Sequence, residues 1–336
     1  MRELIKELYL PTNIETKKFY PGLNASKGLL VLLVVFTHCL PPGMILYFLY
    51  FFHMPLFMAI SGFLLKTAAF ENGYIYFIKR LWHRLLLPWL LASILFIPIH
   101  LTEGQNTHLK FSDLIYPYYH LWYIPSYIIG ATICFYMHKL KISAIPILII
   151  TAGITILWYL FYRDKDMEME TLPLYWLGEK RLFAYLFFFI IGFTLRNGYI
   201  KNKLLPVQLL FIKAIAFGAL LFLIFKQFSS LYIVWPYLFF NTTLIVFILM
   251  YIGPKNILQT KLLLLINKQS LGIYLYHPLV LTLICILLKD RDHQHISNLQ
   301  ATILFMVVMA LTLALVWLLE KWRFTNIYVL GNKEAK

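Results

Sequence analysis

Apolar runs of roughly 15 to 25 residues, bounded by clusters of charge, fill most of this chain of 336 residues. A run of that length, coiled as a helix, crosses a hydrocarbon layer of about 30 Å. Water is not the main solvent of such a chain. Hydrophobic residues make up 61% of it, aromatic residues 18% and charged residues only 13%, with a mean hydropathy of +0.73, all far from a soluble domain. A net charge of +15 would point to nucleic acid in a soluble protein, but loops that follow the positive-inside rule account for it here. No nucleic-acid partner is expected.

Taking each run as one helix predicts an all-α membrane bundle of about ten spans, near 28–41, 44–65, 81–101, 120–137, 143–162, 182–196, 206–226, 231–252, 270–288 and 299–319. Residues 1–27 read as a cytoplasmic N-terminal segment, 28–320 as one membrane domain and 321–336 as a cytoplasmic tail. The first run follows a polar stretch with no small-residue cleavage site after it, so it is expected to stay as an anchor. The first two runs form a hairpin about Pro41-Pro42-Gly43. With the N-terminus inside, every Lys and Arg falls on the cytoplasmic side except Lys110, Arg163, Lys165, Lys180, Arg181, Lys226, Lys289 and Arg291. This asymmetry predicts both ends in the cytoplasm. The acidic side chains of Asp164, Asp166, Glu168, Glu170 and Glu179 gather in one outer loop, which reads as a solvated loop or as the rim of an opening for a polar substrate. Cys39, Cys134 and Cys285 lie inside apolar runs and form neither a disulfide framework nor a metal pattern.

Ionisable residues at depth are costly, about 2.5 to 3.5 kcal/mol for Arg or Lys at mid-membrane, so each needs a reason. His38 follows Lys27 by eleven residues, which puts both on one helical stripe about 16 Å apart. His53, counted from Lys66, and His277, counted from Lys268, come to a similar depth from two other helices. Each can be a buried histidine satisfied by a nearby carbonyl, or part of a site where three imidazoles converge. Imidazole suits general-base work near neutral pH. The histidines lack ligand spacing and have no carboxylate partner within a span, so no metal is expected. Lys79, Arg80 and Arg84 open the third run with His83 between them. Guanidinium forks at a membrane edge match phosphate oxygens, although ordinary anchoring to headgroups is the competing reading. Tyr274 and His277 share a face at i and i+3, where a hydroxyl can orient a ring. His120, Trp122 and Tyr123 read as an interfacial belt or as part of a site.

In this order the stretches Lys27 to His38, Phe52-His-Met-Pro-Leu-Phe-Met-Ala-Ile-Ser-Gly-Phe-Leu64, Lys79 to Pro88, His120-Leu-Trp-Tyr, Phe187-Phe-Phe-Ile-Ile-Gly192-Phe and Ser270 to Pro278 resemble the acyltransferase 3 family of bacterial integral membrane proteins. The resemblance implies a ten-helix fold with cytoplasmic ends in the bacterial cell membrane. It also implies transfer of an acyl group, commonly acetyl, to a hydroxyl of a sugar, cell-surface polysaccharide or lipid-linked glycan. Acyl-CoA, commonly acetyl-CoA in the family, enters as donor substrate, with no bound cofactor. By position, Lys27 and His38 match the family's basic residue and histidine, and Arg80 and Arg84 its arginines. Asn24 stands where the family often has an acidic residue, and the arginines are four apart where the family often has three.

The roles implied are His38 as general base, Lys27, Lys79, Arg80 and Arg84 as donor-binding residues, and His53, His120, Trp122, Tyr274 and His277 as lining for the acceptor or channel. Direct transfer and a ping-pong route through an acylated enzyme group both remain open at this point. The alternative is a transporter or flippase for a polar or lipid-linked substrate. Ion-coupled transporters usually carry Asp or Glu within spans, whereas all 15 acidic residues here fall in loops, tails or helix edges.

Overall fold

A computed structural model describes residues 20–103, 121–161, 181, 183–199, 230–256, 259–288 and 296–332. Every regular element among these residues is helical, as expected of a chain whose backbone polar groups must be satisfied inside each segment once lipid replaces water. In chain order they are α1 (Pro21–Cys39), α2 (Met44–Leu64), α3 (Tyr74–Leu81), α4 (Leu87–Glu103), α5 (Tyr123–Lys139), α6 (Ala144–Phe161), α7 (Leu186–Arg196), α8 (Ser230–Val246), α9 (Lys261–Lys268), α10 (Ser270–Leu288) and α11 (Asn298–Lys321). π turns at Trp82–Leu86, Phe247–Ile252 and Thr325–Val329 join α3 to α4, extend α8 and follow α11.

Six stretches among the described residues are long and apolar enough to cross a membrane: Pro21–Cys39, Met44–Leu64, Tyr74–Pro98, Val234–Ile252, Ser270–Leu288 and Asn298–Lys321. Ala144–Leu160 and Leu186–Arg196 are shorter apolar helices. The expected run at 206–226 and both chain ends lie outside the described residues. Two boundaries differ from the hydropathy reading for a physical reason. The first helix starts at Pro21 rather than Gly28, because proline is favoured at a first helical position and polar side chains do not stop a helix. The third starts at Tyr74 behind Gly73, whose φ of +84° ends the preceding turn. Hydropathy follows lipid contact, whereas the backbone keeps coiling into the polar edge. Lys27 and the basic run from Lys79 are therefore parts of helices.

The chain divides into two compact units. The first comprises Met1–Leu23, Met54–Asn72 and Pro125–Ile257. Its tightest joint is a reciprocal glycine crossing of α2 and α7. A methyl added at Gly62 would meet the backbone of Phe189, 2.9 Å from its carbonyl carbon, and one added at Gly192 would lie 2.8 Å from the carbonyl carbon of Ala59 and 2.9 Å from the nitrogen of Phe63. Small residues that let helix backbones touch are a main source of packing when lipid removes the hydrophobic drive between helices. Just beyond α7, Asn197 donates to the carbonyls of Leu65 and Phe193 and accepts from the backbone of Thr67, tying off the end of α2.

The second unit comprises Asn24–His53, Gly73–Ile124 and Leu258–Lys336. Its core gathers Ala92, Phe96, Leu121, Ile124, Leu275, Tyr276, Val316 and Leu330 from α4, α5, α10, α11 and the C-terminal turn. Trp89 donates its indole N–H to the carbonyl of Leu121 at 2.9 Å, fixing the chain that enters α5.

Gly62→Val and Gly192→Val are each expected to destabilise the protein by about 1–3 kcal/mol through overpacking. Gly153→Val, where an added methyl meets nothing within 4 Å, is the control and leaves stability unchanged. Thermal unfolding in detergent, followed by tryptophan fluorescence, measures all three. Equal midpoints would remove the crossing as a stabilising element.

Candidate active site

Every site residue read from the sequence lies in the second unit, and all are described except His120, which is outside the described residues. Lys27 and His38 stand on one unbroken helix, α1. Next to Lys27, Gly28 brings α1 against the backbone of Leu263, where an added methyl would lie 3.1 Å from the carbonyl carbon. This contact holds Lys27, half-buried, at a set place beside α9. Arg84 is near enough for its charge to act on Lys27. Two cations held together repel one another, and an anion between them turns that repulsion into attraction.

Arg84 belongs to the π turn Trp82–Leu86 together with His83. Such turns are rare and recur at functional sites. Lys79 and Arg80, in the last turn of α3, are exposed, as are His83 and Arg84. The basic run thus presents four side chains where a polyanion can reach them.

The histidines divide differently. His38, in the last turn of α1, is half-buried, and its ring lies 5.2 Å from that of His277, centroid to centroid, tilted by 45°. The Nδ1 of His277 is 2.7 Å from the carbonyl oxygen of Ile273, one turn back on α10. A carbonyl only accepts, so Nδ1 carries the hydrogen and Nε2 is left as the basic nitrogen. His277 is fully buried. His53 is built the same way, with Nδ1 donating to the carbonyl of Leu49 at 2.6 Å and its ring 5.1 Å from that of Tyr50. Each helix therefore sets the tautomer of its own histidine.

Tyr274 packs edge-on against Tyr123 with ring centroids 5.5 Å apart. The nitrogen of His277 that a tyrosine hydroxyl could have oriented is held by Ile273. Trp122 is buried at the start of α5, beside the backbone oxygen that receives the Trp89 indole. Among the described residues no three His, Cys, Asp or Glu side chains gather as a metal cluster. Cys39 and Cys285 are buried and in no disulfide.

Spacing alone put His38 and His277 at one depth but did not make them neighbours. The Lys27 and Arg84 pairing was likewise out of its reach, since the partners are far apart in sequence. Gly28, directly after Lys27, is the local sign of a close helix approach there. The arrangement as a whole offers a cationic edge for phosphates and, on the same helix α1, a pair of imidazoles with one basic nitrogen already defined.

Lys27→Gln is expected to stabilise the ligand-free protein by a few tenths to about 1 kcal/mol, read as a higher thermal midpoint, because it removes a cation from a half-buried place and relieves repulsion from Arg84. A lowered midpoint in the same detergent would contradict the pairing.

A family model described as an acyltransferase domain matches residues 20–321. No curated protein matches the chain, and no solved structure does.

Proposed function

This chain belongs to the acyltransferase 3 family, and we propose that it is an O-acyltransferase that moves an acyl group, acetyl in our reading, from acyl-CoA to a hydroxyl of a sugar, cell-surface polysaccharide or lipid-linked glycan. It is a multi-pass membrane acyltransferase by family and by its apolar helices. The placement in a bacterial cell membrane follows from the family resemblance, and that of the basic run on the cytoplasmic side from our reading of loop charge.

The observation that carries this reading is the pairing of His38 with His277, 5.2 Å apart. In the proposed reaction His38 takes the proton of the acceptor hydroxyl as its oxygen attacks the thioester carbon. The C–S bond breaks, an ester C–O bond forms, and the proton passes to the departing sulfur to give the free thiol of coenzyme A. His277, whose Nδ1 is held by the carbonyl of Ile273, packs its ring beside that of His38 and limits where the base can stand.

Arg84 and Lys27 take the coenzyme A phosphates between them, which turns their mutual repulsion into binding, and Arg80 and Lys79 extend the same edge. His53, Trp122, Tyr274 and His120 line the path of the acceptor. His53 is the weakest of these as a chemical group, because its buried ring is already tied to its own helix.

Acetyl-CoA turnover, read as thiol release from protein in nanodiscs across a panel of sugar and lipid-linked glycan acceptors, tests the proposal. His38→Ala is expected to lower kcat by about 10² to 10⁴, and His277→Ala to lower it with the double variant no worse than the more damaging single, as for residues that act as a unit. Arg84→Ala is expected to raise the KM for acetyl-CoA about tenfold or more, the loss of one charge-assisted hydrogen bond of about 1.5–3 kcal/mol. Acceptor-dependent release that survives His38→Ala would sink the base assignment. Unchanged KM in Arg84→Ala would sink the donor site.

A further inference from the structure

Past residue 321, where the family match ends, the chain turns back onto the second unit. Asn326 donates its backbone N–H to the carbonyl of Trp322 at 2.9 Å, and Leu330 donates to Thr325 at 3.0 Å, closing the π turn Thr325–Val329. The Thr325 hydroxyl lies against the carbonyls of Leu319 and Trp322, which joins this turn to the end of α11. Asn332 closes the far side, with its side-chain amide 2.7 Å from the side-chain oxygen of Asn326. The segment is also anchored from within. Leu330 is buried in the core between α4, α10 and α11, and the Tyr276 hydroxyl of α10 reaches the carbonyl of Val329 at 3.4 Å.

At its tip is Gly331, with φ +66°, a left-handed conformation that glycine adopts freely and other residues avoid. A methyl there would collide with the carbonyl of Arg84, lie 3.0 Å from the carbon of that group, and lie 3.1 Å from the ring of Pro88. Both the conformation and the room at this position suit a residue without a Cβ. The atom it touches is the backbone of the residue whose charge acts on Lys27. Such turns are rare within helices and recur at functional sites, and the close approach of Gly331 braces this one from outside.

We infer that residues 322–332 form a clasp, with Gly331 at its contact point, that holds the Arg84 turn in place, so that Gly331 is a positioning residue for donor binding. The donor half of this inference rests on the coenzyme A reading above. The clasp half does not. A misplacement of about 1 Å in a binding group can cost on the order of 100-fold in rate, so a modest shift of this turn is enough to be measured.

The experiment compares wild type, Gly331→Ala and Gly331→Asn in nanodiscs, each with and without Arg84→Ala. Asparagine tolerates positive φ and so isolates the close approach from the backbone conformation, and it serves where the alanine variant does not fold. Amides of 82–87 are expected to exchange hydrogen about tenfold faster or more in both variants, with α10 protected as in wild type. The KM for acetyl-CoA is expected to rise about tenfold with kcat within about twofold, and the Gly331 changes to add nothing once Arg84 is alanine. Unchanged protection at 82–87, exchange that quickens evenly along the whole chain, or an equal further loss in the Arg84→Ala background would each overturn the clasp. Locally faster exchange in a protein that does not turn over acetyl-CoA would uphold the clasp and place the failure in the donor reading.

Discussion

Lipid offers no hydrogen bonds, and that lack governs the rest of this protein. Backbone groups close on themselves as helices, and polar side chains in those helices turn to the same resource. Thr37 donates to Val34, Ser61 to Phe57, Ser93 to Trp89, Thr151 to Ile147 and Thr194 to Ile191, each one turn back. His53 and His277 do the same. In a threonine this quiets a hydroxyl. In a histidine it also defines the other nitrogen, so a bond made to satisfy a buried group fixes the tautomer of the ring beside His38.

Glycine supplies the second recurring device. At Gly62 and Gly192 it lets α2 and α7 touch backbone to backbone, and at Gly28 it seats α1 against Leu263 beside Lys27. At Gly331 the same lack of a side chain serves a turn. Helices that cannot rely on water to drive them together gain from such contacts, because dispersion and weak C–H···O bonds grow as backbones approach. The residues next to these contacts inherit their precision, which is how a flexible lysine on α1 comes to have a defined neighbour.

The basic edge and the imidazole pair answer to different physics. Exposed arginines and lysines at a membrane edge are inexpensive, so their number says little. More telling is that Lys27 is drawn into a half-buried place where the charge of Arg84 acts on it. The imidazole pair is informative through burial, since a fully enclosed His277 beside His38 is a costly use of polar groups in a membrane protein.

Much was legible in the sequence. Apolar run lengths predicted helices, and six stretches long and apolar enough to cross a membrane stand where runs were read. The ordered motifs named the family, and the eleven-residue step from Lys27 to His38 put both on one stripe because helical periodicity is local. Boundaries at Pro21 and Tyr74 were misread, since hydropathy reports lipid contact and not the backbone. Which helix faces which was not legible at all. The neighbouring of His38 with His277, the approach of Arg84 to Lys27, and the return of Gly331 onto the Arg84 turn join residues tens to hundreds of positions apart. Local periodicity carries no information about such pairs, because they are decided by packing: by which backbones can touch and which buried groups must find a partner.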